Sequence, residues 1–241
     1  MARRTVRKVT LNRGEQTLVI QGMTHVASAT FYARVKKEMQ DMEHAGYQVF
    51  YEEIKGRFYA GAGSTKAQQA VADFLRGLIT GFYNKDAKSR GLVRQEKKIQ
   101  YSKSAINADV SFKTAVQELI DQGIFVSRAQ LSLFTDERCY SAYENKYTQA
   151  ELEADPKLQH YVNQFRSRGV KELIHETLSI LVSFRNVKAV AILEEYFARR
   201  IQGKALLHYG NAHLKGIVEL LKKDGFIIVN HQEVGVSALG K

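Results

Sequence analysis

The sequence predicts an α/β fold: two strand–helix–strand (βαβ-type) repeats around a central mixed or parallel sheet, with a helical insertion in the middle of the chain. Near each end of the chain, an apolar strand, an amphipathic helix and a second apolar strand follow one another. Short turns join these elements, as in the βαβ units of α/β sheets. The composition, with 44% hydrophobic and 25% charged residues among 241, is that of a globular protein.

The first predicted repeat lies at the N-terminus. Residues 6–11 and 16–22 read as strands, and the Asn-Arg-Gly turn between them favours a hairpin. Over residues 27–45 apolar side chains recur at every third or fourth position, which predicts a helix. Residues 47–51 then form a further apolar strand.

The middle of the chain is predicted to be mostly helical, and the C-terminal part repeats the first design. Helical spacing covers residues 65–83, 111–122, 170–183 and 187–201. The Asp155–Pro156 pair is typical of a helix start. The second repeat consists of a strand over 206–209, a helix over 214–223 and a strand over 226–229.

The sequence also excludes several classes of protein. One cysteine, Cys139, rules out an intrachain disulfide and a cysteine-based zinc or iron–sulfur site. No window approaches 18 uninterrupted apolar residues, so we expect no membrane-spanning segment. Residues 1–8 are basic, but no apolar stretch of a secretory signal follows them, so we expect a cytoplasmic protein. No Pro/Ser-rich linker interrupts the chain, and we expect a single domain over residues 1–241.

The chain is strongly basic, with 36 Lys and Arg against 25 Asp and Glu and a formal net charge of +11. The surplus is densest over residues 84–103. Such a surplus attracts polyanions without specifying one. A solvated face explains it, and so does a surface for nucleic acid, anionic lipid or an acidic partner; no zinc finger, RNP pattern or clear helix-turn-helix favours nucleic acid.

A Gly-x-x-His motif occurs twice, at Gly22–His25 and at Gly210–His213. Each motif follows an apolar strand and opens a helix, which is the position where α/β sheets bind ligands. The glycine permits a tight turn and a close approach of the backbone to a ligand, and the histidine can donate, accept or ligate a metal near neutral pH. The competing interpretation is that each histidine only caps a helix or bonds a neighbour.

Glu52 and Glu53 end the strand after the first helix. A carboxylate there lies beside His25 if the strands are neighbours, and only one of the two glutamates is expected to face the site, because adjacent strand residues point to opposite faces. Two histidines and a carboxylate can hold a divalent ion whose bound water becomes a nucleophile near neutral pH. Without a metal, His25 or Glu52 is a candidate general base. A solvated strand end is the alternative.

Arg185 and Asn186 lie between two predicted helices. A buried arginine needs a carboxylate, a phosphate or a ligand as its partner. Arg185 is therefore a candidate partner of Glu52 or a stabiliser of an oxyanion. An arginine that only holds the helix junction explains the pattern equally well.

Four segments carry a resemblance to a known family. In chain order they are Leu-Val-Ile-Gln-Gly-Met-Thr-His-Val, Val-Phe-Tyr-Glu-Glu-Ile-Lys, Ser183-Phe184-Arg185-Asn186 and Tyr-Gly-Asn-Ala-His-Leu-Lys-Gly. They resemble the first Gly-x-x-His, the strand ending in a glutamate (best matched by Glu52), the Arg-Asn element and the second Gly-x-x-His of the TraB/PrgY/Tiki family, within the EreA/ChaN-like superfamily. Between them, Asn107-Ala108-Asp109-Val110 resembles a stretch of uncharacterised bacterial members.

The resemblance implies an EreA/ChaN-like fold of two repeats, in which both Gly-x-x-His turns meet at one site. Tiki members resemble divalent-metal-dependent proteases that prefer manganese or cobalt, and TraB and PrgY limit the activity of peptide pheromones. EreA-like members are esterases that use a histidine and glutamates, and ChaN binds haem. Unlike Tiki or TraB proteins, this chain is expected to have no signal peptide and no C-terminal membrane helices, which argues against an extracellular or membrane substrate.

The leading hypothesis is a cytoplasmic hydrolase that cleaves a peptide or an amide through a metal-activated water. Its expected metal ligands or bases are His25, Glu52 and His213, with manganese or cobalt favoured over zinc as the divalent metal. Arg185 is expected to orient a carboxylate or to stabilise developing negative charge. Asp109 and Glu53 are weaker catalytic candidates.

Three alternatives remain open beside this hypothesis. The first is a protein that binds haem, a metal or a small ligand without turnover. The second is a metal-free esterase that uses a histidine and a glutamate. The third is a partner of nucleic acid or another polyanion, which would depend on Lys97 and Lys98 rather than on His25.

Overall fold

A computed structural model describes residues 5–56, 65–89 and 91–236 of the chain. The chain forms two compact units. The sheet unit comprises residues 1–55, 86–110 and 182–241, and the helical unit comprises residues 56–85 and 111–181. The helical unit corresponds to the predicted middle insertion, whereas the prediction of a single domain stays a prediction.

The described residues of the sheet unit contain a mixed six-stranded sheet and a separate two-stranded one. The strands are β1 (Thr5–Arg13), β2 (Gln16–Met23), β3 (Val26–Ala27), β4 (Gln48–Tyr51), β5 (Val93–Arg94), β6 (Ile106–Asn107), β7 (Lys204–Gly210) and β8 (Ile227–Gly235). The large sheet has the order β6-β4-β7-β2-β1-β8, and β3 pairs with β5. Strand β1 runs antiparallel to both of its neighbours, whereas β2, β7, β4 and β6 are parallel to one another. The predicted α/β class and mixed sheet are confirmed.

The elements of the N-terminal repeat form where the sequence predicts them. Strands β1 and β2 form an antiparallel hairpin whose turn contains Gly14 at φ +56°. Helix α1 spans Ala29–His44 and begins after Ser28, whose side chain accepts a hydrogen bond from the backbone N–H of Phe31. Strand β4 follows, but β7 lies between it and β2 in the sheet. The two strands of this repeat are therefore not neighbours.

The C-terminal repeat consists of β7, helix α9 (Leu214–Lys223) and β8, again as predicted. Helix α1 packs on one face of the sheet, where Met39 joins Val19 and Leu206 in a buried cluster. Helix α9 packs on the other face, where Ile217 joins Ile20; Val19 and Ile20 are adjacent in β2 and point to opposite faces. The chain thus leaves β2 and β7 toward opposite faces, and the crevice at such a switch point is where open α/β sheets bind ligands.

Helix α8 corrects one sequence-based prediction. It is a single continuous helix over Val170–Ala198, whereas two helices over 170–183 and 187–201 were expected. The polar pair Arg185 and Asn186 suggested a junction, but neither residue breaks a helix. Both side chains have buried partners in the sheet unit, so their polarity requires no turn at the surface.

Most helices of the helical unit are short. Its helices include α2 (Lys66–Ser89), α3 (Phe112–Asp121), α4 (Arg128–Thr135), α5 (Cys139–Tyr143), α6 (Gln149–Ala154) and α7 (Pro156–Ser167), and a 3-10 turn of the sheet unit covers Gln95–Lys97. Asp155 caps α7 and Pro156 is its first residue, as predicted. Phe74 and Phe134 pack with their ring centroids 4.5 Å apart, and Cys139 is buried and forms no disulfide. None of the helices in the described ranges is both long and apolar enough to cross a bilayer.

A buried histidine in the interior strand β7 makes the fold sensitive to acid. His208 lies in β7 between Gln21 and Tyr51 of the neighbouring strands, and its Nδ1 has no hydrogen-bond partner among the described residues. Burial, and to a smaller extent the Lys8 ammonium, lower the pKa of His208 from 6.5 to about 3. Below pH 6.5 the unfolded chain takes up a proton that the folded chain does not, so this histidine destabilises the fold as the pH falls.

We expect His208 to lower the free energy of unfolding by about 2 kcal/mol as the pH falls from about 7 to about 5. Urea unfolding at both pH values measures this loss of stability. In His208→Leu the loss between the two pH values is expected to be about 2 kcal/mol smaller than in wild type. His231→Leu, at an exposed position of β8, serves as the control and should keep the wild-type pH dependence. An unchanged pH dependence in His208→Leu would contradict the assignment.

Candidate functional site

The two Gly-x-x-His turns lie side by side at the carboxyl ends of β2 and β7. Met23 pairs with Gly210 in the parallel register, and the backbone N–H of Asn211 donates to the Met23 carbonyl at 2.8 Å. Glu52 follows β4 directly, and its backbone N–H donates to the carbonyl of His208 at 3.1 Å. The sheet therefore brings three separate segments of the chain together at the carboxyl ends of its parallel strands.

Both motif glycines are required by close contacts. A Cβ on Gly22 would lie 2.6 Å from the carbonyl oxygen of Arg7 and 2.7 Å from Asn211 Oδ1. A Cβ on Gly210 would lie 2.9 Å from Glu52 Oε2 and 3.3 Å from His213 Cδ2. Any larger residue at either position would push apart the groups that the turns bring together.

Arg185 is the centre of a buried ionic network. Its Nε donates to Asp109 Oδ1 at 2.8 Å, and its Nη2 donates to Asp109 Oδ2 at 2.6 Å and to Glu52 Oε1. Its Nη1 lies 3.4 Å from His213 Nε2. The side chains of Arg185, Glu52 and Asp109 are 11%, 5% and 0% exposed. Four of the five guanidinium N–H groups thus face acceptors among the described residues, which leaves one Nη1–H for a ligand.

Glu52 is held in its ionised form. Its Oε2 accepts the backbone N–H of Gly210, and its Oε1 lies 3.7 Å from His213 Nε2. Burial by itself raises the pKa of Glu52, but Arg185, with smaller contributions from His213, His25 and the Gly210 amide, outweighs burial and lowers this pKa to about 2. Glu53 does not face the site, because its side chain is 55% exposed and lies 3.4 Å from Lys55 Nζ.

His213 is neutral and fixed in orientation. Burial is the largest influence on its pKa, which falls to about 4, and its Nδ1 lies 2.7 Å from Asn186 Oδ1. Since that oxygen is an acceptor, Nδ1 carries the proton and Nε2 presents its lone pair to Arg185. Gly216 makes room for Asn186, because a Cβ at that position would overlap Asn186 Nδ2.

His25 is the more accessible of the two motif histidines and is only partly buried. Its backbone carbonyl accepts the N–H of Gln95 at 2.9 Å. Burial lowers the pKa of His25, while the charge of Glu52 opposes this effect and that of Arg185 adds to it. His25 is therefore a neutral imidazole at pH 7, close enough to the ionic network to interact with its charges.

Three further residues contribute to the site without having been assigned a role from the sequence. Asn186 orients His213, and the ring of Tyr209 packs edge-on against His213 with centroids 4.9 Å apart. Burial and the charge of Glu52 raise the pKa of Tyr101, whose ring stacks on that of Tyr51 with the ring centroids 4.1 Å apart. Asn186 and Tyr209 adjoin motif residues in sequence, whereas no local signal marks Tyr101.

The donor set as it lies does not fit a resident divalent ion. Among the residues that the structure describes, no group of three or more His, Cys, Asp or Glu is arranged to hold one. Nη2 of Arg185 already lies within hydrogen-bond reach of Glu52 Oε1 and Asp109 Oδ2, where a metal would need to be about 2.0–2.2 Å from each oxygen. A divalent ion about 4 Å from a guanidinium is repelled by ~8 kcal/mol at an effective dielectric constant of about 20.

Comparison of the chain with models of protein families, with curated proteins and with solved structures finds no match in any of the three. The TraB/PrgY/Tiki assignment and the EreA/ChaN-like fold therefore stay predictions that rest on the motif resemblance. The geometry of the site is independent of that resemblance, and any function assigned to the site depends on this geometry.

Proposed function

We propose that this protein is a hydrolase that cleaves an ester or amide bond in a peptide or a small molecule. One observation carries the proposal: at the switch point of an α/β sheet, a guanidinium held by two carboxylates lies 3.4 Å from the uncharged imidazole of His213, and its charge also acts on the uncharged imidazole of His25. Hydrolysis of a carbonyl compound needs a base for water and a donor for the carbonyl oxygen. The imidazoles and the guanidinium are groups of these two kinds.

In the proposed mechanism His25 is the general base. A neutral imidazole takes a proton from water as the water oxygen attacks the carbonyl carbon. The remaining Nη1–H of Arg185 donates to the carbonyl oxygen as it becomes negative. The imidazolium of His25 then returns the proton to the leaving oxygen or nitrogen as its bond to carbon breaks.

The other residues of the site act as positioning groups. Glu52 and Asp109 hold the guanidinium through three hydrogen bonds, so the donor needs no reorientation during the reaction. His213, oriented by Asn186, accepts from the same guanidinium on its Nη1 side. This arrangement supports a metal-free mechanism better than the metal-activated water expected from the sequence.

The test is a panel of peptide amides and carboxylic esters, assayed with wild type and with the double variant His25→Ala/His213→Ala. We expect turnover of at least one substrate by wild type and none above background by the double variant, which controls for contaminating hydrolases. Equal activity in the two proteins, or none in either, would overturn the proposal. In that case binding without turnover, or polyanion binding through exposed Lys97 and Lys98, would be examined next.

A further inference from the structure

Three potential metal-ligand atoms surround the two terminal nitrogens of the Arg185 guanidinium. Glu52 Oε1 and Asp109 Oδ2 both accept from its Nη2. His213 Nε2 lies 3.4 Å from its Nη1 and 3.7 Å from Glu52 Oε1. Carboxylate oxygens and a histidine nitrogen are atoms that divalent transition metals take as ligands in proteins.

The orientation of His213 is also that of a metal ligand. Metal-binding histidines usually donate their other ring N–H to an oxygen acceptor, which directs the lone pair at the metal. Here Nδ1 is bonded to Asn186 Oδ1, and Nε2 faces the guanidinium. The supporting contact that such a ligand requires is thus present although a guanidinium lies at the centre.

The charges of the cluster match a divalent ion as well. Glu52 and Asp109 supply two negative charges, and the single positive charge of Arg185 leaves one negative charge in a nearly buried cluster. A divalent ion in place of the guanidinium would neutralise both carboxylates. To reach metal-bond distances, the carboxylate oxygens would move inward by about 0.5 Å, and His213 Nε2, which lies 3.4 Å from Nη1, would move by more than about 1 Å.

We infer that Arg185 is the resident cation of this site, and that Glu52, Asp109 and His213 form a latent divalent-metal site that its guanidinium closes. Wild type therefore binds no divalent ion here, whereas a variant without the guanidinium does. This inference goes beyond the proposed hydrolase function, because metal binding is measured without turnover.

The experiment titrates Co²⁺ into wild type and Arg185→Ala, followed by visible absorption and by the thermal unfolding midpoint. We expect no Co²⁺ bands and no shift for wild type. For Arg185→Ala we expect one Co²⁺ per chain and a midpoint several degrees higher than without the ion. Arg185→Ala/Asp109→Asn is the matched control, and it should bind at least tenfold more weakly.

Arg185→Leu, which keeps more of the side-chain volume, is a second variant in case Arg185→Ala does not fold. Folding of either variant only when Co²⁺ is present supports the inference. Two results would overturn it. The first is one Co²⁺ per chain in wild type that Glu52→Gln removes, and the second is the absence of Co²⁺ binding in both Arg185 variants.

Discussion

Replacing Arg185 by methionine is expected to lower the free energy of unfolding by about 3–5 kcal/mol. The substitution removes the guanidinium that forms ion pairs with both Glu52 and Asp109. Both carboxylates are almost fully buried, and a buried charge that loses its partner retains the cost of desolvation without the compensating attraction. Methionine keeps most of the side-chain volume, so the lost stability measures the effect of the unpaired carboxylates rather than that of a cavity.

Urea unfolding at about pH 7 measures this effect. The control is Arg199→Met, just beyond the C-terminal end of the same helix, where Arg199 pairs with Glu195 and both side chains are largely exposed. An exposed pair of this kind contributes less than about 1 kcal/mol. The Arg185 network would have no special role in stability if the two variants lost similar amounts.

Replacing His25 by alanine is expected to lower kcat by about 10²–10⁴-fold on any substrate that wild type hydrolyses. The reason is that water loses its proton acceptor while the donor Arg185 stays in place. The thermal unfolding midpoint should change far less than the rate, because His25 is only partly buried. His231→Ala, at an exposed position on β8, is the matched control and should retain wild-type kcat.

The pH profile of kcat distinguishes a base from a merely structural residue. Because burial lowers the pKa of His25, the neutral form persists below pH 6.5, and kcat should fall only as the pH drops through that lowered value. The assignment fails if His25→Ala keeps wild-type kcat while His213→Ala loses it, since the base would then be His213.

The repeats at the two ends of the chain could be predicted because their signals are local. Apolar periodicity located α1 and α9, and the Gly-x-x-His spacing located the two turns that the structure places together. The preference for Glu52 over Glu53 rested on a resemblance, and the structure turns only Glu52 toward Arg185. These features depend on a few consecutive residues, which a single sequence displays.

The rest of the site depends on contacts between distant residues. Asp109 follows β6, a two-residue strand that no periodicity reveals, and it meets Arg185 only because β6 pairs with β4. The polarity of Arg185 and Asn186 suggested a helix junction, yet both are satisfied by partners far away in sequence. Strand order, which fixes these meetings, leaves no trace in local composition.

The insertion of β7 between β2 and β4 has a consequence for how the chain acquires its structure. Strands β2 and β4 both pair with β7, which consists of residues 204–210 near the opposite end of the polypeptide. During synthesis, the first half of the chain therefore leaves the ribosome before β7 is translated. Until then, the backbone groups of β2 and β4 that pair with β7 have no partner strand. Pairings over such a sequence separation slow folding, and nascent or truncated chains of this protein should be frequent clients of chaperones.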